Sequence, residues 1–295
     1  MEQATSPTTV PLQRSGTSAV VKTFSRAVRI PGLVIGGTLF VVLVVCAVLA
    51  PVITPGNPNA MNFGAMLHPP SMQHPFGTDN FGRGIFRREL YGLRLSMIIG
   101  LLVASITGVI GTVFGVMAGL SRRADAIIMR VADGFMAFPW MVLAIASMAF
   151  LGSSTMNVII VLSIVYSPRM ARIVRSAVLV EREREYIVAE NIIGASPWRI
   201  VMKHLLPNIL APIIVQLTFT FAYAVLNESL LDFLGVGVPP SVPSLGKMIS
   251  DSQEYMVQAP WMTIFPGVGI AVTVITLNLL GDGIQDFLGV KSSQS

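Results

Sequence analysis

Charge is what this sequence has least of. Only 12% of its 295 residues are Asp, Glu, Lys or Arg, roughly half the ~25% typical of soluble domains. In contrast, 53% are hydrophobic, and the mean hydropathy is +0.71. A chain of this length folded in water could not cover so much apolar surface, so its solvent is lipid. Cysteine is nearly absent. Cys46 stands alone inside an apolar run and can make no disulfide within the chain. The three histidines, His68, His74 and His204, are scattered and lack metal-ligand spacing. No catalytic triad pattern is visible. Gly246-Lys247 is followed by Met248 rather than Ser or Thr, so there is no phosphate-cradling loop, and the chain cannot hold ATP by itself.

What is present is a series of apolar runs. Leu33–Ala50 reads as a retained anchor rather than a signal peptide. Its core is too long for one, and Pro51 stands where cleavage would fall. Further spans are predicted over Leu95–Leu120, Phe135–Leu151, Met156–Pro168, Ile209–Leu231 and Met262–Leu280. The fourth is shorter than the about 20 residues a spanning helix needs, but charge argues for it. With six spans, 15 of the 20 Lys and Arg fall on one side and 5 on the other. Dropping the fourth would move the most basic loop outward, against the positive-inside rule. The net charge of +5 and pI near 9.7 are therefore topology signals, not the footprint of a nucleic-acid partner. Both termini are expected in the cytoplasm. Arg14, Lys22, Arg26 and Arg29 lie in a mobile tail that could turn helical near Lys22–Arg29, and Lys291 lies at the other end.

Small residues recur at three- and four-residue spacing in the second span: Gly100, Ala104, Gly108, Gly111, Gly115 and Gly119. In lipid such residues let helix backbones approach closely. The expected fold is thus all-α, a packed polytopic bundle of six transmembrane helices. Thr78–Arg94 reads as a separate interfacial amphipathic helix, capped by Thr78 or Asp79, with Phe81, Ile85, Leu90 and Leu93 on one face.

The loop 169–208 is long enough to build structure outside the membrane. Tyr186–Gly194 reads as a helix with Tyr186, Ala189 and Ile193 on one face and Gly194 as its stop. Ser196-Pro197 reads as an N-cap with proline at the first position of a second helix, Trp198–Leu206, ending at Pro207.

This loop resembles the signature of bacterial ABC import permeases: Glu-Ala-Ala, three residues, Gly, nine residues, then an apolar residue, any residue, Leu-Pro. Ala189, Gly194, Leu206 and Pro207 match at that spacing. Val188 stands at the motif's Glu, Glu190 at its second Ala, and His204 at its apolar position. His74-Pro75-Phe76-Gly77-Thr78-Asp79, Phe233-Leu234-Gly235-Val236-Gly237, Ala259-Pro260-Trp261 and Asn278-Leu279-Leu280-Gly281-Asp282-Gly283 are similar to the "C"-type permeases of dipeptide, oligopeptide and nickel import. Leu245 and Lys247 replace the Trp and Asn frequent there. The likeness runs over about residues 30–290.

The resemblance implies a type I ABC importer permease fold and no enzyme activity. It implies a cytoplasmic tail over 1–30, a first helix with periplasmic loop and interfacial helix over 31–93, the permease domain over 94–285 and a cytoplasmic end over 286–295. It implies partners: a second permease subunit, two ATP-binding subunits that hold the ATP and magnesium, and an extracytoplasmic binding protein carrying a peptide. Tyr186, Ala189, Glu190, Gly194, Leu206 and Pro207 would couple the bundle to the ATPase. The outer loop 239–255 would meet the binding protein. Asn227, Glu228 and Asp232, near the outer end of the fifth span, are either solvated or set to attract a peptide's amino terminus. Asp282 and Asp286 are expected to cap or to pair with loop arginines. The competing readings are an ion-coupled secondary transporter, which predicts ionisable residues mid-membrane, and a membrane-embedded enzyme, which predicts clustered His, Asp or Glu in the spans.

Overall fold

The computed structural model describes residues 29–289, so the expected tail before Arg29, and Lys291, lie outside the described residues. The chain is helical, with α1 Pro31–Ile53, α2 Ile85–Leu120, α3 Arg122–Met136, α4 Trp140–Leu151, α5 Thr155–Glu181, α6 Glu185–Ile192, a helical stretch α7 over 197–208, α8 Leu210–Phe233, α9 Leu245–Ser252 and α10 Trp261–Leu288. Five helices (α1, α2, α5, α8 and α10) are long and apolar enough to cross a membrane. The pair α3 and α4 makes a sixth candidate, bent by 88°.

The second span and the interfacial helix predicted before it are one helix. At 36 residues, α2 is about 54 Å long, far beyond the ~30 Å hydrocarbon core, so one end projects. Ile85, Leu90 and Leu93 are buried on it, whereas Phe81 precedes it. Thr78 and Asp79 are not its caps, and the boundary expected at 93/94 falls inside it. They sit in a loop closed by an isolated bridge between Thr78 and Gly84, and α2 starts after Gly84 without a side-chain cap.

The third span also differs from expectation. Asp125 in the first turn and the Ser121 side chain, which accepts from the Ala124 N–H, favour a helix start at 122. Pro139 then disfavours helix at Phe138, and the chain turns sharply. At 12 residues α4 reaches only about 18 Å and cannot span alone.

The fourth span does not stop at Pro168. Proline costs one backbone bond, but the Ser167 hydroxyl donates to the Ser163 carbonyl at 2.6 Å beside it. Packing carries the helix onward. Met170, Ala171, Val174 and Val178 face α2, where Gly111, Gly115 and Gly119 line the crossing. A Cβ on Gly115 would lie 2.6 Å from the Ala171 carbonyl oxygen, and one on Gly119 would lie 2.5 Å from Val178 Cγ1. The later half of the small-residue stripe is therefore the α2–α5 seam, whereas Gly100 and Gly108 meet Phe221 and Leu217 of α8. Arg169–Glu181 of the expected loop belongs to a spanning helix, and the true loop begins at Arg182. Gly36 of α1 and Gly283 of α10 repeat the device: a Cβ on Gly36 would meet Leu280 N at 2.5 Å. Elsewhere α1 exposes Val34, Ile35, Val41, Val42, Val45 and Val52, as a lipid-facing helix does.

Candidate functional site

Two polar regions stand at opposite ends of the bundle. The first, at the basic end, is the segment joining α5 to α8. The Gly119 carbonyl, at the end of α2, accepts from Arg182 at 2.7 Å. Asp125 accepts two bonds from Arg175, one at 2.7 Å, and Arg172 reaches Asp133 at 2.6 Å. Thus α3 is tied to the projecting end of α5.

From there α6 extends outward as two turns. Ile187 is its buried anchor, joining Met170, Val174, Val178, Ile200, Leu205 and Ile209 in one cluster. Gly194, at φ +79°, takes the left-handed conformation that lets the chain reverse. The Ser196 side chain accepts from the Arg199 N–H at 3.3 Å, and Pro197 is the first helical residue. The second helix does not end at Pro207. Ile200–Leu205 forms a π-helical turn, Leu206–Asn208 is α-helical, and α8 follows at once. The π turn explains why Ile200 and Leu205, five residues apart, both point inward.

Of the coupling residues expected from sequence, Tyr186 and Ala189 are exposed on α6. Glu190 is half-buried, Gly194 makes the reversal, Leu206 is half-buried in α7, and Pro207 is exposed. Ile193 lies past the end of α6, so the predicted common face is not continuous. The outer surface carries Val188, Ile192, Ile193, Trp198 and Met202, of which Ile192, Ile193 and Trp198 are 79%, 77% and 72% exposed. The Tyr186 hydroxyl donates to Glu181 and accepts from Asn208 at 2.8 Å. Desolvation and the bond to Glu181 raise its pKa above the ordinary tyrosine value, so it stays neutral. Sequence reasoning missed Ile187, Glu181 and Asn208. The uncharged run Tyr186–Ala189 between Glu185 and Glu190 was the available signal for Ile187. The Tyr186–Asn208 contact, 22 residues apart, left none.

The second region is at the opposite end. Asn227, Glu228 and Asp232 are buried inside the subunit, not solvated at an edge. Asn227 donates to the Tyr166 hydroxyl. Glu228 accepts from Ser96 at 2.9 Å and Ser229 at 3.3 Å, and Asp232 accepts from the Val238 N–H at 2.7 Å. One Glu228 oxygen and one Asp232 oxygen have no partner. Nearby, Asp79 accepts from Arg83 at 2.6 Å and Arg88 at 2.9 Å, all three buried. Asp251 accepts from Lys247 at 2.8 Å, and the Thr78 carbonyl accepts from the Trp261 indole at 3.2 Å. Within the predicted outer loop, Leu245 and Met248 of α9 are core residues. Asp282 and Asp286 are exposed, and no arginine among the described residues pairs with either.

Between α2, α3 and α5 an apolar cleft of about 320 Å³ is lined by Ile110, Phe114, Ile128, Phe135, Ile164 and Pro168. No group of three or more His, Cys, Asp or Glu among the described residues is arranged to hold a metal.

A bundle with so much apolar surface, with charge gathered at its ends, is an integral membrane protein. Its fold resembles inward-facing structures of the MetNI methionine ABC transporter, with a TM-score of 0.51 at 22% identity over 68% of this chain and 94% of that one. Residues 111–292 match the family described as binding-protein-dependent transport system inner membrane component, and 23–70 match the N-terminal TM domain of oligopeptide transport permease C. A putative peptide transport system permease protein of Brucella suis is 46% identical over 288 residues, 98% of this chain and 97% of the relative. The dipeptide transport system permease protein DppC of Alkalihalophilus pseudofirmus is 41% identical over 259 residues, 88% of this chain and 85% of the relative. The chain belongs to the family of binding-protein-dependent transport system inner membrane components, the permeases of ABC importers. It is a transport component, not an enzyme, and the ion-coupled secondary transporter reading is not favoured.

Proposed function

We propose that this chain is the "C"-type permease half of an ATP-driven peptide importer, and that α6 is its docking handle for an ATPase subunit. One observation carries the handle assignment: Ile192, Ile193 and Trp198 stand in the open in the basic segment that joins two spanning helices. Contiguous exposed apolar side chains outside lipid mark a partner surface. The Arg-rich loops support a cytoplasmic basic end, with both termini on that side. The peptide and dipeptide permeases among the relatives support a peptide cargo.

ATP and magnesium would sit on two separate ATPase subunits. Their closure would move α6, and the stiff bundle would switch between inward- and outward-open packings. A second permease subunit would face this one across the pathway, and the apolar cleft between α2, α3 and α5 is surface such a partner could cover. An extracytoplasmic binding protein would deliver the peptide at the other end, against the segment 239–255. Asn227, Glu228 and Asp232 would shape the outer end of the route from within the wall. Their burial supports this over direct contact with the peptide. Glu228→Gln and Asp232→Asn should then slow peptide import without changing the affinity of the binding protein for the membrane complex. A change in that affinity alone would sink the wall role.

The handle is tested by Ile192→Asp with Ile193→Asp. The subunit should still insert and fold, because neither side chain is buried. Its ATPase partner should no longer co-purify. Retention of the ATPase at wild-type level would refute the assignment.

A further inference from the structure

Two polar side chains at the basic end meet without being aligned. Glu190 is near the end of α6, and His204 lies in the π turn of α7. Both side chains are about one-fifth exposed, with Glu190 Oε1 3.3 Å from His204 Nε2. Yet His204 Nε2 and Glu190 Oε2 lack any hydrogen-bond partner. Arg199 stands 3.9 Å from Glu190 Oε2, too far to satisfy it. The His204 ring lies 6.0 Å from the Tyr186 ring, and the His204 carbonyl accepts from Asn208 at 2.7 Å. Asn208 in turn donates to Tyr186. His204 is thus the point where α6, α7 and the base of α8 converge. Apart from it, α6 is moored by Ile187 and by the Tyr186 hydroxyl.

We propose that Glu190 and His204 are a positioning latch that makes α6 and the base of α8 move as one body. The inference rests on α6 being the ATPase handle. Held only at the adjacent residues Tyr186 and Ile187, the handle would pivot about that one point under load. A further contact at Glu190, displaced from Ile187 by most of a turn, removes that freedom. The short π turn sets the direction of His204, because it advances the chain five residues between inward-facing positions where an α-helix advances three or four. Ion-pair distance without hydrogen-bond alignment leaves the latch able to tighten by a small displacement of α6.

The test uses the assembled complex with its ATPase subunits, in a Cys46→Ala background. Spin labels at Glu185 and Leu210, both exposed, report the α6–α8 distance by pulsed EPR. The wild-type latch should give one narrow distance, both nucleotide-free and vanadate-trapped. Glu190→Gln and His204→Gln should each broaden it about twofold, and the double variant no further, as expected for a pair acting as a unit. Glu190→Asp, which keeps the charge, should restore part of the narrowing. Unchanged width in both single variants, or additive broadening in the double, would overturn the latch. Loss of the ATPase from either single variant would also overturn it, assigning the residues to the docking surface instead. The handle reading fails separately, if the Ile192→Asp, Ile193→Asp variant keeps its ATPase.

Discussion

The two ends of this bundle use polar residues in opposite ways. At the far end, Asp79 lies between Arg83 and Arg88, Glu228 takes a bond from Ser96, and Asp232 binds the turn after α8. These groups are withdrawn from solvent. Removing water from a charge is costly unless partners replace it, so the bonds that Asp79, Glu228 and Asp232 do make hold their partners in place. At the basic end the ion-paired arginines Arg172, Arg184 and Arg199 are themselves largely exposed, while apolar side chains stand outward. One end is built to keep its shape alone, and the other to be completed by something else. That difference suits a subunit receiving force at one end and forming a rigid mouth at the other.

The sharpest way to break the comparison is Asp79→Ala. It strands the buried Arg88 and leaves the buried Arg83 only Asp251, at 3.9 Å. Losing one partner of a buried pair costs about 3–5 kcal/mol. Thermal unfolding of the detergent-solubilised protein should show this as the largest destabilisation among single variants at either end. A loss no greater than that of an exposed pair would mean the far end is not the stiffer one.

A smaller effect is expected at Gly194. At φ +79° it occupies a conformation that strains any residue with a Cβ, although nothing stands within 4 Å of that position. Gly194→Ala should therefore cost about 1–2 kcal/mol through the backbone alone. It should also weaken ATPase co-purification by tilting α6. Unchanged co-purification would show that the reversal need not be rigid.

Local features of both ends were legible in the sequence, and long-range ones were not. Gly194, Ser196 and Pro197 announced the reversal and the cap because these residue types act on their own backbone. The glycines of the second span announced close packing, but not that α5 and α8 were the partners. The stop expected at Pro168 failed because Val174 and Val178 pack into those glycines and outweigh one lost backbone bond. The stop expected at Pro207 failed similarly, where the π turn and buried Leu205 carry the helix into α8. The separate interfacial helix merged into α2 because no breaker separates Arg94 from Leu95. The burial of Glu228 depends on Ser96, 132 positions away, and no local pattern reveals that.

Arg172 sharpens the comparison from the weak side. Its bond to Asp133 is short, at 2.6 Å, but the two side chains are 45% and 56% exposed. Water solvates both charges before and after the pair forms, and ordering two side chains opposes the attraction. Such pairs contribute about 0–1 kcal/mol. Arg172→Ala should thus shift the unfolding temperature least of the variants considered, and raised salt should erase the shift. The α3–α5 attachment should survive, because Arg175 still holds Asp125 through two bonds. A salt-insensitive loss comparable to that of Asp79→Ala would mean that lipid or a partner subunit shields this face. The basic end would then be buried in the assembly, as the far end is within the subunit.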